Sequence, residues 1–267
     1  MARPLILIAN DDGIRSNGIR TLAARLADLG DTIVVAPDRE RSATSHAFTL
    51  DRPLRVEEVE PSRFMVDGTP ADCVYLGLLK ICPRKPDLVV SGINHGFNLG
   101  SDVFYSGTVA GAVEAALRDV PAIAMSLEWK RGMHKSEDAF LPAASFAHAL
   151  ARAVLSEGLP SGTLLNVNVP SEMRPNAYRW TKLGKRLYRD QVDERADLRG
   201  RRYYWIGGPA MGYGDVPGSD CHAVRDKLVS VTPLDLDLTH AGLLERLPEW
   251  NLDGFDRVVE QDLEAPR

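Results

Sequence analysis

The sequence predicts an α/β protein with three layers, a mostly parallel sheet carrying helices on both faces, followed by a C-terminal subregion with an extended hairpin arm. Three observations predict it. Short, predominantly apolar runs at 5–9, 32–36, 88–91, 121–127 and 164–169 read as strands buried on both faces, as in parallel sheets. Stretches of helical periodicity separate these runs. From residue 178 the chain turns aromatic and charged without a helical period.

The first strand, residues 5–9, stops at Asn10-Asp11-Asp12-Gly13. Ile19, Leu22, Ala23, Leu26 and Leu29 then recur at helical spacing up to Gly30, and the strand at 32–36 completes a βαβ unit. A polar loop from Pro37 through Arg39, Arg41, Ser42 and His46 leaves that second strand. Residues 54–59 and 64–66 read as a marginal hairpin. Thr69 and Pro70 start a short apolar helix running to about residue 81. The strand at 88–91 opens into a glycine-rich loop, 91–108, ended by a helix from Val109. A long helix is expected over 137–155, capped by Ser136 and stopped near Gly158. Residues 178–207 read as two aromatic strands separated by a charged excursion, either a projecting arm or a hairpin packed on its own domain. A short helix at 219–226, a strand at 227–234 with one less buried face, a helix at 239–247 and an acidic tail at 248–267 follow.

At 267 residues and 44% hydrophobic content, the chain suits one large α/β domain or a domain with an appended subregion. The net charge of −5 and the absence of a basic block, apart from a mixed-sign stretch at 182–202, argue against duplex nucleic acid as a partner. Three cysteines without a Cys-x-x-Cys pair suggest neither a disulfide framework nor a zinc knuckle, which fits a reduced, cytoplasmic setting. No leader pattern is seen, and no apolar run approaches the ~18 residues of a membrane span, so no membrane partner is expected.

The chemistry gathers at one sheet edge. Asp11 and Asp12 sit at a strand's C-terminal end, where open α/β sheets bind ligands, and adjacent carboxylates repel unless a cation or a shared proton intervenes. Asp-Gly is also a common turn, so the dipeptide alone does not decide. Ser42 and Asn94 end two further strands at the same edge, against the alternatives of a solvated connector and loop-internal hydrogen bonding. Asp11, Asp12, Ser42 and Asn94 make an all-oxygen set suited to magnesium or manganese, with calcium as another hard cation that fits. Ser106-Gly107-Thr108 open a helix, whose free N–H groups and dipole attract phosphate, although Thr108 can equally act only as a cap. The segment is neither a Gly-x-Gly-x-x-Gly fingerprint nor a P-loop.

Together, Asn10-Asp11-Asp12-Gly13, Ala36-Pro37-Asp38-Arg39 with Arg41-Ser42, Gly68-Thr69-Pro70-Ala71-Asp72-Cys73-Val74, Ser91-Gly92-Ile93-Asn94 with Gly96 and Asn98-Leu99-Gly100, Tyr105-Ser106-Gly107-Thr108, and Val229-Ser230-Val231-Thr232-Pro233-Leu234 resemble the SurE family. These stationary-phase survival proteins are metal-dependent 5′/3′-nucleotidases, some of which also cleave polyphosphate. The resemblance implies a Rossmann-like core over 1–175 and, over 176–267, an oligomerisation arm with completing strand and helix elements. It implies one divalent ion on Asp11, Asp12, Ser42 and Asn94, phosphate held by Asn98, Ser106, Gly107 and Thr108, and dimers or tetramers with exchanged arms. Arg15-Ser16-Asn17 and the Arg-rich 185–202 stretch depart from the family pattern.

The expected reaction is hydrolysis of nucleoside 5′- and 3′-monophosphates by direct attack of water. Catalysis would rest on Asp11, Asp12, Asn98 and Ser106, with Asp11 or Asp12 as base and His46 as a candidate acid. The adjacent carboxylates lack the Asp-x-Asp spacing of phospho-aspartate enzymes. A nucleotide sensor using the same cradle without turnover is the alternative from another class. A metal-dependent diesterase is a second rival, disfavoured by the lack of a basic groove.

Overall fold

The structure, a computed structural model, describes residues 3–130, 132–133, 136–174, 177–189, 191–208 and 210–250. It falls into two compact units, Met1–Leu236 and Asp237–Arg267.

The first unit is built on strands β1 (Leu5–Ala9), β2 (Asp31–Pro37), β3 (Val56–Glu60), β4 (Arg63–Val66), β5 (Leu88–His95), β6 (Ala122–Leu127), β7 (Thr163–Val169) and β8 (Tyr178–Trp180), with a final strand numbered β13 (Val229–Asp235). Between β8 and β13 lie β9 (Arg186–Tyr188), β10 (Gln191–Ala196), β11 (Arg202–Gly207) and β12 (Ala210–Tyr213). The helices are α1 (Asn17–Leu26), α2 (Pro70–Leu76), α3 (Gly107–Ala116), α4 (Glu137–Glu157) and α5 (Asp220–Arg225).

Nine strands form one sheet in the order β3-β4-β2-β1-β5-β6-β7-β13-β8. Only β3 with β4 and β13 with β7 pair antiparallel. The expected three-layer, mostly parallel α/β architecture is therefore present. The apolar strand runs explain the layers. Ile6, Ile8, Val34, Val90 and Met125 face α1 and α4, packing with Ile19, Leu22, Phe140, Ala143 and Ala147. Leu7, Ala9, Val35, Val89 and Ala124 face the opposite side, against Cys73 and Val74 of α2 and Val109, Ala112 and Ala115 of α3. The chain proceeds outward from β1 to β2 in one direction and from β5 to β6 in the other, so the sheet order reverses between β1 and β5. Their carboxyl ends flank the crevice where such sheets bind ligands.

Thr69 caps α2 as expected, in a capping box closed by Asp72, with Pro70 in the first turn. Helix α4 begins after Ser136 and ends at Gly158. At 21 residues and hydropathy 1.3, it is long and apolar enough to cross a membrane by length and composition alone, contrary to the expectation that no segment would be. Its buried stripe, Phe140 to Val154, nevertheless packs on α1 and the sheet as a core helix.

Four elements differ from the sequence reading. Residues 178–180 are not part of the arm but form a sheet edge, pairing with β13. The charged stretch carries a strand of its own, β10, paired antiparallel with β11 beyond the β9/β12 pair, so these four strands form two successive ladders of one long hairpin. Its side chains satisfy their charges in solvent and across the ladder, as Arg202 does with Glu194 at 3.3 Å. The polar face of β13 is buried at Ser230 and Thr232, where α5 packs on the strand and Thr232 pairs with Thr181 at 2.7 Å. In the second unit, the helix expected over 239–247 shortens to α6 (Ala241–Leu244), followed by a 3₁₀ turn at Leu247–Glu249. The acidic tail beyond Trp250 lies outside the described residues.

Candidate metal and phosphate site

Asn10 organises the turn after β1. Fully buried, it donates from Nδ2 to the Gly13 carbonyl (3.1 Å) and Ser16 Oγ (2.8 Å) and accepts from the Gly13 N–H (3.2 Å). The turn so pinned presents Asp11 and Asp12. Asp11 is held from two further sides. Arg41 N–H donates to its carbonyl (2.7 Å), bringing in the loop after β2, and Thr108 Oγ1 donates to its Oδ1 (2.6 Å). Ser45 ties the same loop to the segment before α3, donating from N–H to Tyr105 O (3.2 Å) and from Oγ to Phe104 O (2.6 Å).

Strand β5 runs four residues past its expected end, so Asn94 and His95 leave the sheet from the ladder and not from a free loop. Its register against β6 shifts between Ser91 and Asn94. Such an irregularity re-aims the side chains that follow it.

One cavity of about 470 Å³ is lined by Asp11, Ser42, Asn94, Asn98 and Ser106. Asp12 lines a neighbouring cavity with Arg39 and Glu40, and His95 borders both. The predicted residues therefore converge on one place, though not all of them as bare ligands. Ser42 donates to Glu40 Oε1 (2.7 Å), and Asn94 Nδ2 donates to Gly96 O (3.0 Å), leaving Asn94 Oδ1 for a cation. Ser106, not Thr108, caps α3, its Oγ accepting from Val109 N–H (3.0 Å), so its own proton remains to be donated. The Thr108 side chain is fully buried against Asp11, and its backbone N–H also donates to the Asp11 carboxylate, so Thr108 serves the aspartate from both groups. At Gly107 a Cβ would lie 2.9 Å from Asp11 Cβ, so only glycine lets the N-terminus of α3 approach this closely.

The electrostatics call for a cation. Burial, and after it the charge of Asp12, push Asp11 up to about 7, against the opposing hydrogen bond from Thr108. Asp12 Oδ2 is buried without a hydrogen-bond partner. No group of three His, Cys, Asp or Glu side chains capable of holding a metal occurs among the described residues. Two carboxylates with the neutral oxygens of Ser42 and Asn94 thus fit a hard divalent ion better than zinc.

The site also includes residues to which sequence reasoning gave no role. His95 Nδ1 lies 2.7 Å from Asp12 Oδ1, its ring held edge-on by Trp129 and Phe140. Asn166 and Asn168 both donate to Asn98 O (2.9 and 3.0 Å), while Asn98 N–H donates to Asn168 Oδ1 (2.8 Å). Asn98 Nδ2 donates to Ser126 Oγ (2.8 Å). Two amides at i and i+2 in an otherwise apolar strand share one face, and that was the signal available for them. Arg186 and Tyr188 also line the main cavity, from a strand some ninety residues away with no local motif. His46 pairs with Glu114 (2.8 Å) and does not line it.

Comparison with known proteins follows this geometry. A family model described as "Survival protein SurE" matches residues 6–190. A 5′-nucleotidase SurE of Myxococcus xanthus is 52% identical over 254 residues, covering 94% of this chain and 95% of that protein. One from Syntrophotalea carbinolica is 51% identical, covering 93% and 98%. The crystal structure of a SurE protein from Aquifex aeolicus matches with TM-score 0.80 and 40% identity, covering 92% of this chain and 99% of that one.

The site dictates a stability signature. The folded value of Asp11, about 7, lies above its unfolded 3.8, so the metal-free protein loses stability as pH rises from about 4 through 7. At pH 8 in chelator, Asp11→Asn is expected to melt above the wild type, since it removes a buried charge. Excess manganese should raise the wild-type Tm and leave the variant nearly unmoved. Calorimetry showing a lower-melting variant in chelator, or equal metal shifts, would contradict this.

Proposed function

The chain belongs to the survival protein SurE family, and from that premise we propose that it is a metal-dependent 5′-nucleotidase that hydrolyses nucleoside monophosphates to nucleoside and phosphate. The observation carrying this reading is the buried Asp11/Asp12 pair, with Asp12 Oδ2 unpartnered, at the N-terminus of α3.

Asp11, Asp12, Asn94 and Ser42 would hold a single magnesium or manganese ion, calcium being a further fit. Such an ion supplies charge neutralisation for the phosphoryl group and lowers the pKa of water bound to it. The chain's own groups do the rest. Ser106 Oγ and the Gly107 N–H donate to phosphoryl oxygens at the positive end of α3, while Thr108, expected to hold phosphate too, is engaged with Asp11, and Asn98, fixed by Ser126 and Asn168, donates its remaining amide proton. Water attacks phosphorus in line, the bond to the ester oxygen breaks, and one carboxylate of the aspartate pair accepts the water's proton. The nucleoside oxygen takes a proton from solvent, since His46 is engaged with Glu114. Both 5′- and 3′-monophosphates, and short polyphosphate, fall within the proposed substrate range.

In this reading residues 1–175 form the catalytic core, and residues 176–267 carry the assembly arm and completing elements, exchanged between subunits of a cytoplasmic dimer or tetramer. The hairpin supports it. Tyr204, Trp205 and Ile206 are exposed by 54%, 63% and 89%, and isolated two-stranded ribbons gain stability by packing.

Two measurements test these readings. Phosphate release from a panel of nucleoside 5′- and 3′-monophosphates is expected to require divalent metal and to fall at least about a thousandfold in Asp12→Asn. Nucleotide binding with no release by the wild type would instead favour a sensor. Light scattering is expected to give a dimer or tetramer that dissociates on Ile206→Asp with Trp205→Ser, whereas a monomeric wild type would refute the exchanged arm.

A further inference from the structure

The cavity is larger than a phosphate requires, and its lining carries two groups of different chemistry. Asp11, Asn98 and Ser106 are one. Asp102 with Arg186 and Tyr188 of β9, joined by hydrogen bonds at the root of the hairpin, is the other. Arg186 Nη1 and Tyr188 OH both donate to Asp102 Oδ2 (2.5 and 2.8 Å), leaving Oδ1 outside that pair of contacts. Arg186 sits 5.2 Å from the centre of the Tyr188 ring, and its Nε is buried with no hydrogen-bond partner.

This second group is rigidly attached. Asp220 accepts from Gly184 N–H through Oδ1 (2.7 Å) and from Gly100 N–H through Oδ2 (2.8 Å), locking the start of β9 to the turn that carries Asp102. Gly100 has φ +53°, and a Cβ there would lie 2.5 Å from Gly184 O, so the approach depends on glycine. Burial, and after it the bond to Asp102, raise the Tyr188 phenol to about 12, so it stays a donor at neutral pH.

We propose that Asp102, Arg186 and Tyr188 form the nucleoside subsite, so that the root of the arm, and not the catalytic sheet edge, recognises the part of the substrate beyond the phosphate. This rests on the reading above that the phosphate lies by Asn98 and Ser106. An aromatic face, an open guanidinium donor and a carboxylate acceptor suit a flat heterocycle on a polyhydroxyl sugar. The Tyr188 ring supplies the stacking surface, Arg186 a donor to a base acceptor, and Asp102 Oδ1 an acceptor for a ribose hydroxyl.

The test compares wild type, Tyr188→Ala, Arg186→Met and Tyr188→Phe with three ligands: a nucleoside 5′-monophosphate, the bare nucleoside and inorganic phosphate. Nucleoside affinity by calorimetry and product inhibition is expected to fall about ten- to a hundredfold in Tyr188→Ala and Arg186→Met, with a matching rise in KM. Inorganic phosphate inhibition should stay within about twofold, and Tyr188→Phe, which keeps the ring, should recover most of the affinity. Equal weakening of phosphate and nucleoside, or of neither, would overturn the subsite. Because nucleoside binding is read without turnover, its loss in the variants supports the subsite even where phosphate release fails and the hydrolase reading falls.

Discussion

Two neighbouring carboxylates buried at the end of one strand are the constraint around which the rest of the molecule is arranged. Burial raises the cost of the Asp11 charge and the neighbouring Asp12 adds to it, so the ionised pair is unfavourable unless a positive field is brought to it. The fold brings several small ones. The Thr108 hydroxyl and the positive end of α3 meet Asp11, Gly107 removes the side chain that would hold the helix off, and Asn10 closes the turn so that neither carboxylate can swing out to solvent. These contacts do not reach Asp12 Oδ2, which stays buried without a hydrogen-bond partner.

The sheet explains why so many distant segments reach this point. Reversal of strand order between β1 and β5 opens a crevice at their carboxyl ends, and the loops after β2 and β5 descend into it from either side. Asn166 and Asn168 of β7 then carry the hydrogen-bonding frame two strands further, gripping the backbone of Asn98 where regular pairing has ended. Asp220 does the same for the hairpin root, so the arm borders the active cavity through a fixed joint. An arm that serves assembly and also closes one end of the cavity would link subunit exchange to the shape of the substrate site.

Much of this was legible in the sequence because the signals were local. Buried parallel strands announce themselves as apolar runs, Thr69-Pro70 and Ser106-Gly107 mark helix starts, and adjacent aspartates at a strand end are unusual enough to attract a chemical reading. What was illegible was non-local. The charges of 191–196 conceal a strand because they are satisfied in solvent and across the ladder, and the alternation in β13 suggests a less buried face because nothing in 229–235 says that α5 packs on the strand or that Thr181 pairs with Thr232. Arg186 and Tyr188 enter the cavity only through the pairing of β9 with β12 and the clamp at Asp220. Thr108 looks like a cap, and only the packing of α3 on β5 and β6, beside the end of β1, turns its hydroxyl toward Asp11.

Anomalous scattering from a crystal grown with manganese would test the central claim most directly. The account predicts one strong peak in contact with carboxylate oxygens of both Asp11 and Asp12 and with Asn94 Oδ1. A well-ordered Asp11/Asp12 pair without a peak, or a peak held by other residues, would contradict it.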